Sequence, residues 1–584
     1  MGFMQPTPPP FEYEEWRRLP HLERIKVCAQ DWALNGFGTP YFVYLLYVVK
    51  LVLYAGGGLL LISATSGLGG LGDLGSWWTE PIVFQKAVIW TMLWEVLGLG
   101  AGSLPLTLRF SPMIGGVLYW LRPGTTRLPP WPERVPLTRG TRRTLLDVAL
   151  YAGLIAAALN LLLADGVDAT ALTAGRLDPV AVGVLLALLV LLGLRDKVPF
   201  LAARAEIYGN LAIVFLFPLT NMIVAAQLVF VCIWWGAASS KLNRHFPFVV
   251  TVMISNTPWN RWRAAKRRLY RDHPEDLRPS SLGALAAHMG TVMEFTLPLI
   301  LLVSQGGVIG TIAVAGMVIF HLHILSTFPL AVPLEWNIFM IFGLLFLFGH
   351  YGATSFSTVD DPLLIAILAT TCVGLPVLGN FRPDLVSFLP SMRYYAGNWA
   401  TTQWLFSKGS GAEGKLDRDL VKPAPIVTEQ LAKFYDRELI EVLIYKGLAF
   451  RSMHSHGRAL NGLVQRAVEN VEEYDVREGE VVAGVVLGYN FGDGHFHDQR
   501  LLAAIQEHCR FAPGEVRVVV LESQPAGVPR QRYRIFDAAT GLVEEGWVNV
   551  ADMVERQPWL DGKPFPVETD RVQATGAGRA ATPA

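Results

Sequence analysis

Four ionisable side chains lie within or beside long apolar stretches of the sequence: Lys241, Glu294, His321 and His323. A charge at membrane depth is costly, so such a residue needs either a partner or a function. Lys241 ends a long apolar run, and partial burial disfavours the charged form of an amine, which is the condition for a lysine general base. The alternative is a lysine whose side chain extends from a helix end to the lipid headgroups.

The two histidines are separated by one residue in the same apolar segment. Positions i and i+2 of a helix face different directions, so His321 and His323 are poorly placed to bind one metal ion together. Either could carry a proton, and the alternative is a hydrogen-bonded structural histidine. Glu294 and a further acid in an apolar segment, Glu95, need a histidine or lysine partner, and the sequence leaves that pairing open. We predict a catalytic set of Lys241, His321, His323 and Glu294, with no metal.

A second pair of histidines, His495 and His497, follows a predicted strand near the C-terminal end. On an extended loop, residues i and i+2 share a face, so these two could bind a metal with Asp493 or Asp498 beside them. The alternative is a structural loop in which Asp498 caps the next helix. The chain carries no Walker A, GxSxG or HExxH motif.

The composition is that of a membrane protein. Of the 584 residues, 52% are hydrophobic and 17% are charged. A typical soluble chain carries roughly 25% charged residues. The formal net charge is zero, so the overall charge does not indicate a nucleic-acid partner. The four cysteines are widely spaced, which predicts buried free thiols and no disulfide framework.

A helix needs roughly 20 mostly apolar residues to cross the hydrocarbon of a bilayer, because its backbone groups must be satisfied internally. On this criterion we predict a polytopic bundle of about eight to ten membrane helices. Two shorter apolar segments, 113–121 and 246–254, are candidates for re-entrant segments. The predicted spans are 41–62, 84–102, 145–163, 179–194, 207–235, 285–303, 308–326, 336–350 and 363–378.

Basic residues cluster before the first span and in the loops 122–143 and 261–278. Such clusters are typical of the cytoplasmic side of a membrane. An even number of spans from a cytoplasmic start returns the chain to the cytoplasm. We therefore predict a multi-pass protein of the bacterial plasma membrane with a cytoplasmic C-terminal domain.

The composition changes near Lys408, where a Gly- and Ser-rich segment is typical of a flexible linker. In the part that follows, 481–487, 516–521, 531–535 and 544–550 predict strands, and 498–508 predicts an amphipathic helix. The predicted fold is mainly α, a membrane bundle followed by a small soluble α+β domain. Its parts are an N-terminal cytoplasmic segment (1–40), the transmembrane domain (41–400), the linker (401–418), the soluble domain (419–570) and a disordered tail (571–584).

The segment 235–243, a helix that ends in Lys-Leu, resembles the Lys-Leu segment of the vitamin K-dependent γ-carboxylase and its bacterial relatives, the HTTM membrane proteins. The segments 293–295, 320–323 and 388–395 are similar to that superfamily's acidic helix, histidine-bearing helix and exit from the membrane. The resemblance implies that Lys241 deprotonates a reduced quinone and that His321 is a neighbouring polar group.

The chain departs from the carboxylase because it lacks the large lumenal region, the disulfide and the β-rich domain. Carboxylation of protein glutamate is therefore not implied. What the resemblance implies is a helical chamber that binds a quinone or another isoprenoid lipid. The whole chain, and the segment 240–248 in particular, also resembles a family of actinobacterial transmembrane proteins that supplies no mechanism.

We accordingly predict a membrane enzyme of the HTTM type that acts on a quinone or another lipid-soluble substrate through a lysine base. Its partners would be membrane lipid and not nucleic acid. The alternative is a non-catalytic scaffold or lipid-handling protein whose C-terminal domain binds a protein partner. A transporter is a third possible class. The sequence shows no evident inverted repeat, which argues against it.

Overall fold

The computed structural model describes residues 2–100, 115–327, 334–490 and 494–572. The chain folds into a bundle of apolar helices and a C-terminal part built around a six-stranded antiparallel sheet. This confirms the predicted fold class, a helical membrane bundle followed by an α+β domain. All four cysteines are free, and only Cys232 is not fully buried.

Six helices in the described part of the chain are long and apolar enough to cross a bilayer. With helices numbered in chain order, they are α3 (Tyr41–Ser63), α7 (Leu145–Leu163), α11 (Leu219–Ser240), α14 (Ser281–Ser304), α15 (Gly307–Thr327) and the segment Pro362–Phe381. The last consists of α17 (Pro362–Leu368), a π-helical turn (Ala369–Gly374) and α18 (Leu375–Phe381). Three shorter apolar helices are α8 (Pro179–Arg195), α12 (Phe246–Asn256) and Leu334–His350, which is α16 (Leu334–Leu344) continued by a π-helix (Leu345–His350).

Short elements connect and flank these helices. The helical ones are α4 (Leu74–Trp77), α5 (Pro81–Val96), α6 (Gly115–Trp120), α9 (Lys197–Ala202), a π-helical turn (Ala205–Gly209), α10 (Asn210–Val214) and α13 (Arg263–Arg267). Single 3-10 turns lie at Leu71–Asp73 and Phe356–Thr358, and a hairpin is formed by β1 (Tyr270–Asp272) and β2 (Asp276–Pro279). Parts of the predicted segments 84–102 and 113–121 lie outside the described residues.

The segment 207–235, predicted to span the membrane with tilt or a kink at Pro218, is broken at that proline. The short α10 ends before Pro218, and α11 begins at Leu219 directly after it. A proline has no N–H to donate, and its ring clashes with the preceding turn, so it is tolerated at the start of a helix and not in its interior. The helix α11 ends at Ser240, five residues beyond the predicted end of the span, and Lys241 is the residue that directly follows it.

The helix α12 starts and ends on the side of the bundle that faces the C-terminal part. At its start, His245 Nδ1 lies 2.7 Å from Ser455 Oγ. At its end, the Asn256 side chain accepts a hydrogen bond of 2.9 Å from the Phe37 N–H, in the N-terminal segment. The opposite end of the bundle is formed by other loops, in which for example Ser66 N–H donates to Asp165 (2.8 Å).

The polar N-terminal segment packs against the C-terminal part. It contains α1 (Tyr13–Arg17) and α2 (His21–Asn35), and α2 lies along α21 (Arg437–Met453). Asp31 on α2 and Lys446 on α21 form an ion pair of 2.8 Å, and both side chains are only 2% exposed. Two chain segments more than 400 residues apart are thus joined through a buried charge pair.

The C-terminal sheet has the strand order β4-β3-β5-β6-β7-β8, with all neighbours antiparallel. Its strands are β3 (Thr401–Ser407), β4 (Tyr474–Glu478), β5 (Val516–Leu521), β6 (Arg530–Asp537), β7 (Gly541–Asn549) and β8 (Glu568–Val572). The helices around it, besides α21, are α19 (Ala412–Asp419), α20 (Val427–Leu431), α22 (Ser455–Ala467), α23 (Gly479–Leu487), α24 (Gln499–Cys509) and α25 (Val550–Glu555). Single 3-10 turns lie at Val471–Glu473, Gly494–Phe496 and Leu560–Gly562.

The strands predicted at 516–521, 531–535 and 544–550 and the helix predicted at 498–508 are confirmed to within a few residues. The prediction of a strand at 481–487 is wrong. This segment lies in α23, a helix that is followed by Gly488 with a left-handed φ of 77°. This short helix is buried along most of its length. A short buried helix and a buried strand both give a continuous apolar run, so the sequence pattern does not distinguish them.

The structure also differs from the predicted flexible linker, 401–418. Thr401–Ser407 forms β3, a buried strand that pairs with β4 on one side and β5 on the other, and α19 follows it. The apolar stretch of β3 is short, and the Gly- and Ser-rich residues after it form the turn into α19 rather than a spacer. The chain therefore enters the sheet after the irregular segment 382–400, and not through a linker at 401–418.

The buried pair Asp31–Lys446 gives a direct test of how the N-terminal helix is held. The variant Lys446→Met leaves a buried carboxylate without its counter-ion, which we expect to cost about 3–5 kcal/mol. The double variant Asp31→Leu with Lys446→Met removes both charges and should recover most of this loss. Thermal unfolding of the purified protein measures both, and a Lys446→Met variant as stable as the wild type would contradict the assignment.

Candidate active site

A cavity of about 190 Å³ lies inside the helical bundle, between α11, α12, α14, α15 and α16. All four predicted site residues, Lys241, Glu294, His321 and His323, line this cavity. The sequence predicts each of these residues from its own cost in an apolar segment, and the fold brings them from three helices to one cavity. Most of the remaining wall is apolar, and it includes Ile233, Ala237, Val249, Met253, Ala287 and Met340.

The central polar contact is the ion pair between Lys241 and Glu294. Lys241 follows the last residue of α11, and its Nζ donates to both Glu294 oxygens, at 2.6 Å and 2.5 Å. The two residues are 8% and 4% exposed. The lysine therefore points into the bundle, not toward a headgroup layer. The ring of Phe246 lies 5.4 Å from the ammonium and covers it on another side.

His321 is fixed by a hydrogen bond on each ring nitrogen. Its Nε2 lies 3.1 Å from Trp234 Nε1, and its Nδ1 lies 2.9 Å from Asn337 Oδ1. An indole N–H can only donate, so Nε2 is the acceptor and Nδ1 carries the proton given to Asn337. This arrangement holds a neutral ring in one orientation at the cavity wall.

His323 lies two residues further along α15 and differs in environment, as the helical spacing predicts. It lines the same cavity, but it is exposed, whereas His321 is buried. The two imidazoles therefore face different surroundings. They do not form a shared metal-binding face.

A second polar corner of the cavity was missed by the sequence analysis. Arg204 Nε donates to Glu206 Oε1 at 2.7 Å, and the guanidinium lies 4.3 Å from the centre of the Trp336 ring. Tyr394 donates to the same Glu206 oxygen at 3.3 Å. The sequence does contain a sign of this second corner: the charged residues Arg204 and Glu206 lie directly before an apolar block, where a charge is also costly.

Another buried pair lies nearby, between Lys50 and Glu335, with a distance of 3.0 Å. Lys50 lies near the middle of α3, and Glu335 is completely buried near the start of α16. Neither was predicted, although Lys50 is a charged residue in the middle of a clear span. Glu95, which the sequence analysis noted as costly, is also buried, at 3% exposure.

The C-terminal histidines enter separate contacts. His495 Nε2 lies 3.2 Å from a Glu522 oxygen, whereas His497 Nδ1 contacts the Thr402 hydroxyl. Among the described residues, no group of three or more His, Cys, Asp or Glu is placed to hold a metal ion. The two rings do not converge on a common point.

Other polar residues of the same region have structural roles. Asp498 caps α24 by accepting the Arg500 N–H at 2.9 Å, as the structural interpretation predicted. Asp493 lies outside the described residues. Burial lowers the pKa of His454 to about 3, and the stacked His456 has its pKa lowered in the same way. Both are therefore neutral rings packed in the domain.

A lysine and a glutamate in direct contact inside an apolar cavity can exchange a proton. In water the ionised pair is strongly favoured, but burial penalises both charges. The neutral amine and neutral acid are therefore closer in free energy to the ion pair than they would be in solution.

Comparison with curated proteins and with solved structures gave no match. The similarity to HTTM proteins and the actinobacterial origin thus stay predictions that depend on the short motifs quoted above. A family model described as "Transmembrane protein of unknown function (DUF3556)" matches residues 1–570, which include the bundle, the cavity and nearly all of the sheet. The chain therefore belongs to this family of transmembrane proteins.

Proposed function

We propose that the protein is a membrane enzyme of the HTTM type in which Lys241 is a general base. The substrate would be a quinone or another lipid-soluble molecule with an acidic hydroxyl group. The observation that carries the proposal is the Lys241–Glu294 pair on the wall of a largely apolar cavity inside the bundle. Apolar walls with a few convergent polar groups are typical of small-molecule sites, and they suit the ring of a quinone that carries an isoprenoid chain.

The proposed reaction begins with proton transfer from the Lys241 ammonium to the Glu294 carboxylate. The neutral amine then accepts the proton of a substrate hydroxyl and becomes an ammonium again. The substrate oxygen is left with a negative charge beside that ammonium, and Glu294 keeps the transferred proton. The total charge is unchanged. A positioned base of this kind contributes typically 10²–10⁴-fold to a rate.

The two histidines have different parts in this proposal. His321 is a positioning residue because both of its nitrogens are used, one by Trp234 and one by Asn337. Its ring keeps the Trp234 side of the cavity fixed. His323 lines the exposed part of the wall and is the candidate for moving a proton to or from the cavity.

Variants that remove a whole buried ion pair test the lysine base without leaving a lone charge. We expect Lys241→Met with Glu294→Gln to fold and to lose turnover. The matched control, Asp31→Leu with Lys446→Met, removes a similar buried pair that does not line the cavity. The measurement is mass spectrometry of small molecules that co-purify with each protein in lipid nanodiscs.

The wild type and the control should carry one quinone or isoprenoid in about equimolar amount. The cavity variant should lose this compound or hold it in a different, unreacted form. The same compound in the same form in all three proteins would end the lysine-base proposal. Bulk phospholipid alone in all three would favour the alternative, a non-catalytic scaffold whose C-terminal domain binds a protein partner.

We also propose that the protein lies in the bacterial plasma membrane and that its C-terminal domain is in the cytoplasm. Its support is that the Arg-rich loop 122–143 lies at the end of the bundle that carries this domain, where Thr141 donates to Glu507 at 2.6 Å. The basic segment 261–278 lies at the same end, because Arg278 contacts Glu555 at 3.1 Å. Arginine-rich loops are typical of the cytoplasmic face.

Cysteine labelling on intact cells tests this orientation. Thr540, in the exposed turn between β6 and β7, is replaced by Cys to report on the C-terminal domain. Leu172, 93% exposed in the loop between α7 and α8, is replaced by Cys as the control at the opposite end. A membrane-impermeant maleimide should label the Leu172→Cys variant on intact cells and the Thr540→Cys variant only after permeabilisation. The reverse pattern would place the domain outside.

A further inference from the structure

A second, larger cavity of about 340 Å³ lies between α3 and the C-terminal domain. One wall belongs to the membrane helix α3, and the other belongs mainly to α20 and α21 of the C-terminal domain. The walls are largely apolar. They include Phe42, Val43 and Leu46 on α3, and Leu431, Leu443 and Ile444 on the opposite side.

The cavity lies next to the expected lipid phase. Its α3 wall extends from Phe42 to Lys50, about 12 Å at a rise of ~1.5 Å per residue, so the space is elongated along the helix. The other face of the same helix is exposed and apolar, with Leu45, Val48 and Val52 at 48%, 56% and 64% exposure. On a membrane span, such a face contacts lipid tails. A chain from the bilayer needs only to pass around α3 to enter.

A glycine marks open space within the wall. Gly447 on α21 lines the cavity, and a Cβ atom built there would meet no atom within 4 Å. Atoms that line an unfilled apolar space lose the dispersion contacts that a close-packed interior provides. A flexible apolar occupant would restore these contacts.

The charges at the inner end of the cavity already have partners within the protein. Arg451 lies 2.6 Å from Glu478 and 3.2 Å from Glu480, and Lys50 lies 3.0 Å from Glu335. Burial raises the pKa values of Glu478 and Glu480, and the Arg451 guanidinium opposes this shift. Because these charges are already paired, the cavity has no need of an anionic ligand. Its apolar wall therefore favours an uncharged hydrocarbon.

We infer that this second cavity binds the hydrocarbon chain of a membrane lipid, which enters from the bilayer beside α3 and contacts α21 of the C-terminal domain. The site is separate from the Lys241 cavity and does not depend on the proposed reaction. It gives the C-terminal domain a direct contact with the lipid phase.

Photo-crosslinking of the full chain tests this assignment. The protein is reconstituted in phosphatidylcholine nanodiscs that contain phosphatidylcholine with a diazirine on one acyl chain. After irradiation, peptide mass spectrometry locates the label. We expect label on α21 near Leu443 and Ile444, besides the label on the outer face of α3 that any surrounding lipid would give.

Two substitutions at one position separate filling of the cavity from other effects. Gly447→Phe places a ring in the open space, and it should reduce the α21 label by about tenfold, a change of about 1.4 kcal/mol in binding. Gly447→Ala adds only a methyl group and should keep the label. Label on the outer face of α3 should be equal in both, which checks that the protein is inserted and folded. Undiminished α21 label in Gly447→Phe, or none in the wild type, would overturn the proposal.

Two further comparisons separate this site from the other candidates. The variant Lys241→Met with Glu294→Gln should keep the α21 label, so a failure of the proposed reaction and a failure of the lipid site are distinguishable. Exchange of phosphatidylcholine for phosphatidylglycerol should leave the α21 label unchanged, because the cavity charges are already paired. A strong dependence on headgroup charge would instead indicate an anionic-headgroup site and would contradict the chain-only assignment.

Discussion

Buried charges have to be paired in an interior that cannot solvate them, and this protein meets that constraint with lysine–carboxylate pairs between distant segments. Lys241–Glu294 joins α11 to α14, and Lys50–Glu335 joins α3 to α16. A third pair, Lys446–Asp31, joins the C-terminal domain to the N-terminal helix. Such pairs add little net stability, because desolvation offsets attraction, but losing one partner is costly. The pairs therefore restrict which segments can be neighbours.

A buried lysine–carboxylate pair can be closed off by packing or can face a cavity. Lys446 and Asp31 are sealed by packing, and their other polar partners, the Phe37 carbonyl and the Asn35 side chain, also belong to the protein. Lys241 and Glu294 face an open apolar space, so a bound molecule can reach the ammonium. The cavity is what turns a structural ion pair into a candidate catalytic group.

The individual residues of the site were predictable from the sequence, because charge inside an apolar segment is expensive wherever it occurs. Their convergence on one cavity was not predictable, because the sequence leaves the partner of each charge open. The argument from cost selected Lys241, Glu294 and the two histidines, and it would also have selected Lys50 had it been applied to every span. The long spans were predictable from length and hydropathy. The break at Pro218 was predictable as a kink, because a proline cannot continue a helix. The strand β3 was not predictable, because a short apolar run carries too little pattern to fix its element.

The strand β3 determines how the two halves of the molecule are related. Because Thr401–Ser407 lies inside the sheet, the last membrane helix is followed by the C-terminal domain without a flexible spacer. The domain and α3 then form opposite walls of the second cavity. An occupant that contacts both walls stabilises the arrangement in which they are close together, since a ligand favours the state that it binds best. Lipid in this cavity would thus hold the C-terminal domain against the membrane bundle.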